Sequence, residues 1–272
     1  SVTGGVPKYI ELFSESGDIY RAIQKCVLNR SGYLYDEPHF LLQQEVSEVG
    51  SYFSIIKAIA AGNHKLSAIA AVLEVKSTNL TKYLKTLMDL DILERRVPVT
   101  EENPEKSKRG LYKIKDNYLR FWFAFIYPNM SFIESGHSGI VMDKIRRGLT
   151  TSHIGFVYED ICQERMWELN VNNAWPFQFS KLGGYWDAKN EIDIAALDPE
   201  GKNLILGECK YWKEPVGLNV LHALEAKAGD VAWERDRRKV WYVLFSISGF
   251  SDELRNHAAT RDDLLLIDDR GR

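Results

Sequence analysis

The residues of this sequence best suited to chemistry are Asp193, Glu208 and Lys210. The apolar run Leu204-Ile205-Leu206 ends abruptly in Gly207-Glu208-Cys209-Lys210. In an extended strand the side-chain period of two puts Glu208 and Lys210 on one face and Cys209 on the other. Asp193 lies in Glu191-Ile192-Asp193-Ile194, where alternation points Ile192 and Ile194 away from it. Between the two segments, Asp198-Pro199-Glu200-Gly201 is a strong turn, so the strands form an antiparallel hairpin. Two carboxylates and an ammonium then converge in a largely apolar sheet. Burying such charges is costly unless they pair or bind a metal. Asp193, Glu208 and the backbone carbonyl of Cys209 offer hard oxygen ligands suited to Mg²⁺ or Mn²⁺. Lys210 beside them is placed to orient a water and to stabilise charge developing on a phosphoryl group. Glu159, on a preceding helix, is the expected third carboxylate. Asp160 and Glu164 compete with it, and Phe156 and Trp167 are expected to mark the sheet-facing side. Glu191 is a weaker candidate, since alternation aims it with Asp193.

The elements that must position these residues fill 151–272. The pattern reads as a helix (Phe156 to Leu169), three strands (Phe177 to Leu182, Ile192 to Leu197, Leu204 to Lys210) and a helix (Val220 to Ala228). A buried-type strand (Lys239 to Phe245), a capped helix (Ser251 to Ala259) and a closing strand (Leu264 to Ile267) complete it. The fold class is mixed α/β with a mixed central sheet.

Upstream, 51–127 has the order of a winged helix-turn-helix. A first helix carries Phe53, Ile56, Ile59 and Ala60 and stops at Gly62-Asn63; a second carries Leu66, Ile69, Ala70 and Leu73. Ser77 can cap a third, whose Leu80, Leu84 and Leu87 make an apolar stripe. Thr78, Asn79, Lys82 and Lys85 are left on the exposed side, and Asn79, Lys82 and Lys85 would face a DNA groove. A strand from Ile92 to Val99, a polar loop with Lys106, Lys108 and Arg109, and a strand from Leu111 to Lys115 make the wing. The open alternative is a protein–protein spacer of the same fold. The aromatic segment NYLRFWFAFIY (Asn117 to Tyr127) is expected to pack in the core rather than offer a stacking platform. Residues 1–50 form a helical segment, and 128–150 a connector with a short helix.

The 272 residues are 45% hydrophobic with a formal net charge of -3, so no global positive field draws the chain to nucleic acid. Local basic clusters, including Arg235, Arg237, Arg238 and Lys239, leave nucleic-acid binding open. No apolar run approaches the roughly 18–20 residues that cross a bilayer, and no signal-peptide layout opens the chain, so a cytoplasmic location is expected. Cys26, Cys162 and Cys209 are too far apart for a disulfide framework or a paired zinc site and read as reduced core thiols.

Glu159, then Asp193 in EID, then Glu208-Cys209-Lys210 after an apolar strand, resembles the PD-(D/E)XK nuclease superfamily. That resemblance implies metal-dependent hydrolysis of phosphodiester bonds, in DNA, with Glu159, Asp193 and Glu208 holding metal and Lys210 positioning water. A second resemblance rests on SVTGGVPKYIELF (Ser1 to Phe13), YKIKDNYLRFWFAFIYPN (Tyr112 to Asn129) and GECKYW (Gly207 to Trp212). Together they are similar to archaeal-type AAA ATPases of the signal-transducing class, which carry a nuclease-like C-terminal domain called DUF234. Such ATPases begin with a phosphate-binding loop, and no G-x-x-x-x-G-K-[ST] sequence occurs here. Residues 1–50 resemble only the lid after the nucleotide core, which implies an ATPase module outside this chain and no cofactor-binding nucleotide site within it. The competing expectation is a non-catalytic DNA-binding or regulatory module with an inactive nuclease fold.

Overall fold

The computed structural model describes residues 1–269. The chain is mixed α/β: helices dominate the N-terminal half, and a mixed five-stranded sheet with helices follows. Two compact units are present. One comprises Ser1–Arg96 and Gly110–His153, the other Val97–Arg109 and the chain from Ile154 onward. Among the described residues no helix is long and apolar enough to cross a membrane.

The first unit opens with α1 (Pro7–Ser14), α2 (Ile19–Cys26) and α3 (Glu37–Glu45). Asp18 starts α2 by accepting a hydrogen bond from the Arg21 N–H at 3.0 Å, which satisfies one orphan donor of the first turn. Next come α4 (Val49–Ala60), α5 (Leu66–Val72) and α6 (Ser77–Asp89). Gly62, at φ 93°, ends α4 in a backbone conformation that glycine adopts without strain. The stripe of α6 is buried as its spacing demands, with Leu80, Leu84 and Leu87 inside. Ser77 does not cap this helix. It is the first helical residue, Lys76 holds the cap position, and no side chain caps there.

The hairpin β1 (Leu93–Arg96) and β2 (Leu111–Ile114) pairs antiparallel, Leu93 opposite Ile114. Asp116 then caps α7 (Asn117–Phe121) through the Leu119 N–H at 2.7 Å. The aromatic segment continues as a π-helical turn over Trp122–Ile126. Phe121 and Trp122 have no exposed surface, and the Trp122 indole N–H donates to the Tyr35 carbonyl at 2.8 Å. Satisfying that donor makes the ring a core residue, as expected. The connector is more structured than its glycines imply. It contains α8 (Met130–Glu134) and the 12-residue α9 (Ser138–Leu149), which buries Val141, Met142, Ile145 and Leu149.

The second unit is a sheet in the order β3-β4-β5-β6-β7, built from β3 (Lys181–Trp186), β4 (Glu191–Leu197), β5 (Asn203–Lys210), β6 (Lys239–Ser246) and β7 (Leu264–Asp268). Strands β3 to β5 are antiparallel neighbours, while β5, β6 and β7 run parallel. The crossovers are α11 (Leu218–Ala228) and α12 (Asp252–Ala258), and α10 (Gly155–Val171) precedes the sheet. One sheet face packs on α10 through Tyr158, Cys162 and Met166. The other packs on α11 and α12 through Val220, Leu221, Leu224 and Leu254. Burial on both faces explains the near-continuous apolar sequence of β5 and β6.

The first strand lies later than expected. Phe177 to Ser180 are not strand, because the buried Asn170 side chain of α10 holds both backbone groups of Phe179 at 3.0 Å and replaces a sheet ladder. The strand begins at Lys181 and runs through Gly183 and Gly184.

Candidate active site

Glu208 and Lys210 stand near the C-terminal end of β5, at its transition from a fully buried strand to solvent. Leu204 and Leu206 belong to the face that packs on α11, and Ile205 and Cys209 to the face that packs on α10. The period of two therefore turns Glu208 and Lys210 toward the α11 side. Gly207 permits this arrangement. A Cβ there would lie 2.6 Å from Val243 Cγ1 and 3.1 Å from Ile194 Cβ, so β4, β5 and β6 approach more closely than any other residue allows.

Asp193 is aimed by an irregularity in β4. Gly183 pairs with Ala195 but Tyr185 pairs with Ile192, leaving one extra residue on β4 around Asp193 and Ile194. Pairing of β4 with β5 stops at Ile194 opposite Gly207. The bulge has two consequences. It puts Ile192 with Ala195 and Leu197 on the α11 side while Ile194 faces α10, so the two isoleucines do not share a face as alternation implied. It also ends the ladder, and Asp193 Oδ2 accepts the Cys209 N–H at 2.8 Å in its place.

The ionic groups are tightly knit. Lys210 Nζ donates to Glu208 Oε2 and lies 3.6 Å from Asp193 Oδ2. Lys227 of α11 donates to Glu208 Oε1 at 2.7 Å and to the Glu191 carbonyl at 2.8 Å. Burial first, then the charge of Glu208, holds the Asp193 carboxyl above its ordinary value. Burial pushes Glu208 upward too, but Lys210 and Lys227 outweigh it and leave the carboxyl below its ordinary value. Burial works against the Lys210 ammonium, and Asp193 and Glu208 overcome it, so its pKa is raised. Burial and the neighbouring Cys162 raise the Cys209 thiol, keeping it a neutral core group. Cys26, Cys162 and Cys209 are all buried and free.

The structure brings Asp193, Glu208 and Lys210 together. Glu159 is half-buried on α10, and its charge acts on Cys209. Among the described residues no group of three or more His, Cys, Asp or Glu side chains is arranged to hold a metal. The expected markers of the sheet-facing side of α10 are wrong: Phe156 and Trp167 are exposed, and Tyr158, Cys162 and Met166 face the sheet. Gln163, one turn after Glu159, donates to the Asp193 carbonyl at 3.5 Å. Sequence reasoning passed over both Gln163 and Lys227. Gln163 is detectable as the i+4 neighbour of Glu159, whereas Lys227 reads as a solvated lysine until α11 is laid on the sheet.

Asn79, Lys82 and Lys85 are exposed on α6. In the loop within the second unit, Lys108 is exposed, while Arg109 pairs with Glu101 and its backbone carbonyl accepts the Trp186 indole N–H at 3.1 Å. The later basic run is largely consumed in structure. Arg238 donates to the Ala228 and Val231 carbonyls at 2.7 and 2.8 Å, and Arg235 to the Asp230 carbonyl at 2.5 Å, which closes the end of α11. Arg237 pairs with Glu234, and Lys239 with Asp262.

The oxygen donors at this point are two carboxylates and the Cys209 carbonyl, a set of hard ligands. The two carboxylates are desolvated and close enough for Glu208 to disfavour the charge of Asp193. Mg²⁺ commonly takes one or two carboxylates and completes its shell with water.

Comparison with known proteins finds a family match over part of the chain. Residues 122–227 match the DUF234 family model. Its description is "Archaea bacterial proteins of unknown function". The matched segment contains Asp193, Glu208, Lys210 and Lys227. Uncharacterized protein MJECL04 of Methanocaldococcus jannaschii is 38% identical over 210 residues, 77% of this chain and 46% of that protein. The chain thus spans about half the length of this relative. A solved structure, protein VC1899 from Vibrio cholerae, aligns over 89% of this chain and 54% of its own, at 12% identity and a TM-score of 0.27.

Proposed function

We propose that this chain carries a divalent-metal-dependent nuclease site of the PD-(D/E)XK type, hydrolysing phosphodiester bonds in DNA. The observation that supports it is the convergence of Asp193, Glu208 and Lys210 where β4 leaves β5. Asp193, Glu208 and the Cys209 carbonyl would hold Mg²⁺ or Mn²⁺, with water rather than the expected Glu159 completing the shell, since no third carboxylate is arranged with them among the described residues. The bound ion would polarise the phosphoryl oxygens and lower the pKa of water. Lys210 keeps its proton, because Asp193 and Glu208 stabilise the ammonium. As a donor it orients the attacking water toward phosphorus and offsets the charge that builds on the phosphoryl oxygens. The Asp193 hydrogen bond to the Cys209 N–H fixes that carboxylate against the strand carrying the other two groups. In this reading an ATPase module, absent from this chain, gates the site in a longer protein.

The test is incubation of plasmid and single-stranded DNA with Mg²⁺ or Mn²⁺ and the wild-type, Asp193→Ala and Lys210→Ala proteins. Metal-dependent nicking abolished by both substitutions is expected. Cleavage that survives both removes the site assignment.

A second reading is a non-catalytic DNA-binding module. It is favoured by the exposed Asn79, Lys82 and Lys85 on α6 and by the absence of a third ligating side chain among the described residues. It predicts DNA affinity without cleavage, with the salt slope reduced by about 1 for each of Lys82→Ala and Lys85→Ala.

A further inference from the structure

The proposed site contains one cation more than its chemistry uses. Lys210 bridges both carboxylates from the strand that bears Glu208, whereas Lys227 reaches Glu208 alone, from α11. The two ammonium groups and the two carboxylates cancel. A divalent ion added to that set repels both ammonium groups, which favours the withdrawal of one. Three features select Lys227. It is the more exposed of the two, at 28% against 20% for Lys210. Its contact is with Oε1, the Glu208 oxygen that Lys210 does not engage. It also has a second acceptor, the Glu191 carbonyl, on which its proton charge stays solvated after Glu208 is released. Lys210 is held between Asp193 and Glu208, and its further neighbour is the Trp212 ring, 5.7 Å from the ammonium, rather than a hydrogen-bond acceptor.

We propose that Lys227 is an exchangeable counter-ion: it neutralises Glu208 until a divalent cation takes Oε1, and it then becomes free to meet an incoming phosphodiester anion. Lys227 is thus a positioning residue that sets the metal affinity of the site. This inference rests on the metal-dependent reading above, and it separates from that reading because the metal can be measured without turnover.

The experiment is Mn²⁺ titration of the full chain by electron paramagnetic resonance, without nucleic acid, for wild type, Lys227→Met, Lys227→Arg and Glu208→Gln. Circular dichroism melts verify that each variant is folded. Lys227→Met removes the competitor and is expected to bind Mn²⁺ about tenfold more tightly, the factor that roughly 1.4 kcal/mol of competition represents. Lys227→Arg keeps the charge and should bind as the wild type does, and Glu208→Gln should lose the site. Equal or weaker Mn²⁺ binding by Lys227→Met, with Glu208→Gln still abolishing it, overturns the counter-ion role and leaves the metal site standing. No Mn²⁺ binding by any folded version overturns both.

Discussion

Replacement of Gly207 by alanine tests the packing that delivers Glu208 to the site. The added Cβ would meet Val243 Cγ1 at 2.6 Å, the Val243 carbonyl oxygen at 3.0 Å and Ile194 Cβ at 3.1 Å. Turning the Val243 side chain relieves only the first contact. The backbone oxygen and Ile194 belong to the neighbouring strands, so relief requires β4 or β6 to move away from β5. Overpacking of this kind costs about 1–3 kcal/mol. For a domain of this size each kcal/mol shifts the melting temperature by about 2–4 °C, so a fall of roughly 2–12 °C is expected. Thermal unfolding followed by circular dichroism reads it. Val243→Ala, which opens a cavity when made alone, should cost less in the Gly207→Ala background, with a coupling of about 0.5–3 kcal/mol. A Gly207→Ala protein that melts within a degree of wild type, or strictly additive effects in the cycle, would refute the argument that close strand approach requires glycine here.

Asn170→Ala should destabilise the second unit by about 1–3 kcal/mol per orphaned group, because both the N–H and the C=O of Phe179 lose their partner; urea unfolding measures it. His153 has no exposed surface, and burial, aided by Arg120, lowers its pKa from 6.5 to about 4. Below pH 6.5 the unfolded chain takes up a proton that the folded chain refuses. Stability therefore falls as pH drops from about 6.5 to 4, by up to about 3 kcal/mol. Melting curves across that window should show the loss, and His153→Phe should flatten it; an equally steep loss in the variant would assign it to other groups.

Much of the second unit is readable because its signals are local. The turn at Asp198-Pro199-Glu200-Gly201 and the period of two in Gly207-Glu208-Cys209-Lys210 specify the hairpin and the shared face of Glu208 and Lys210 with no knowledge of distant contacts. Ser251 caps α12 through the Leu254 N–H, as its position before an acidic turn announces. In the first unit, the stripe of Leu80, Leu84 and Leu87 likewise identifies its helix and leaves Asn79, Lys82 and Lys85 outside.

What escaped sequence reasoning depends on non-local partners. Phe177 to Ser180 have strand-like composition, but one amide on α10 satisfies the Phe179 backbone and moves the strand onward. Phe156 and Trp167 look like core residues, yet the face of a helix that is buried depends on which sheet it meets. The basic run from Arg235 looks like a surface patch, but Arg235 and Arg238 spend their donors on carbonyls at the end of α11.

The sequence by itself determined the element order of the second unit, the mixed α/β class and the presence of two carboxylates and a lysine on a hairpin, because periodicity and turn chemistry act over a few residues. Only the tertiary structure decided that a bulge in β4 ends the ladder at Ile194 and lets Asp193 take the Cys209 N–H. It alone decided that Lys227 reaches Glu208 from α11. Both depend on how a strand and a helix distant in sequence pack against β5, and no local pattern encodes that packing.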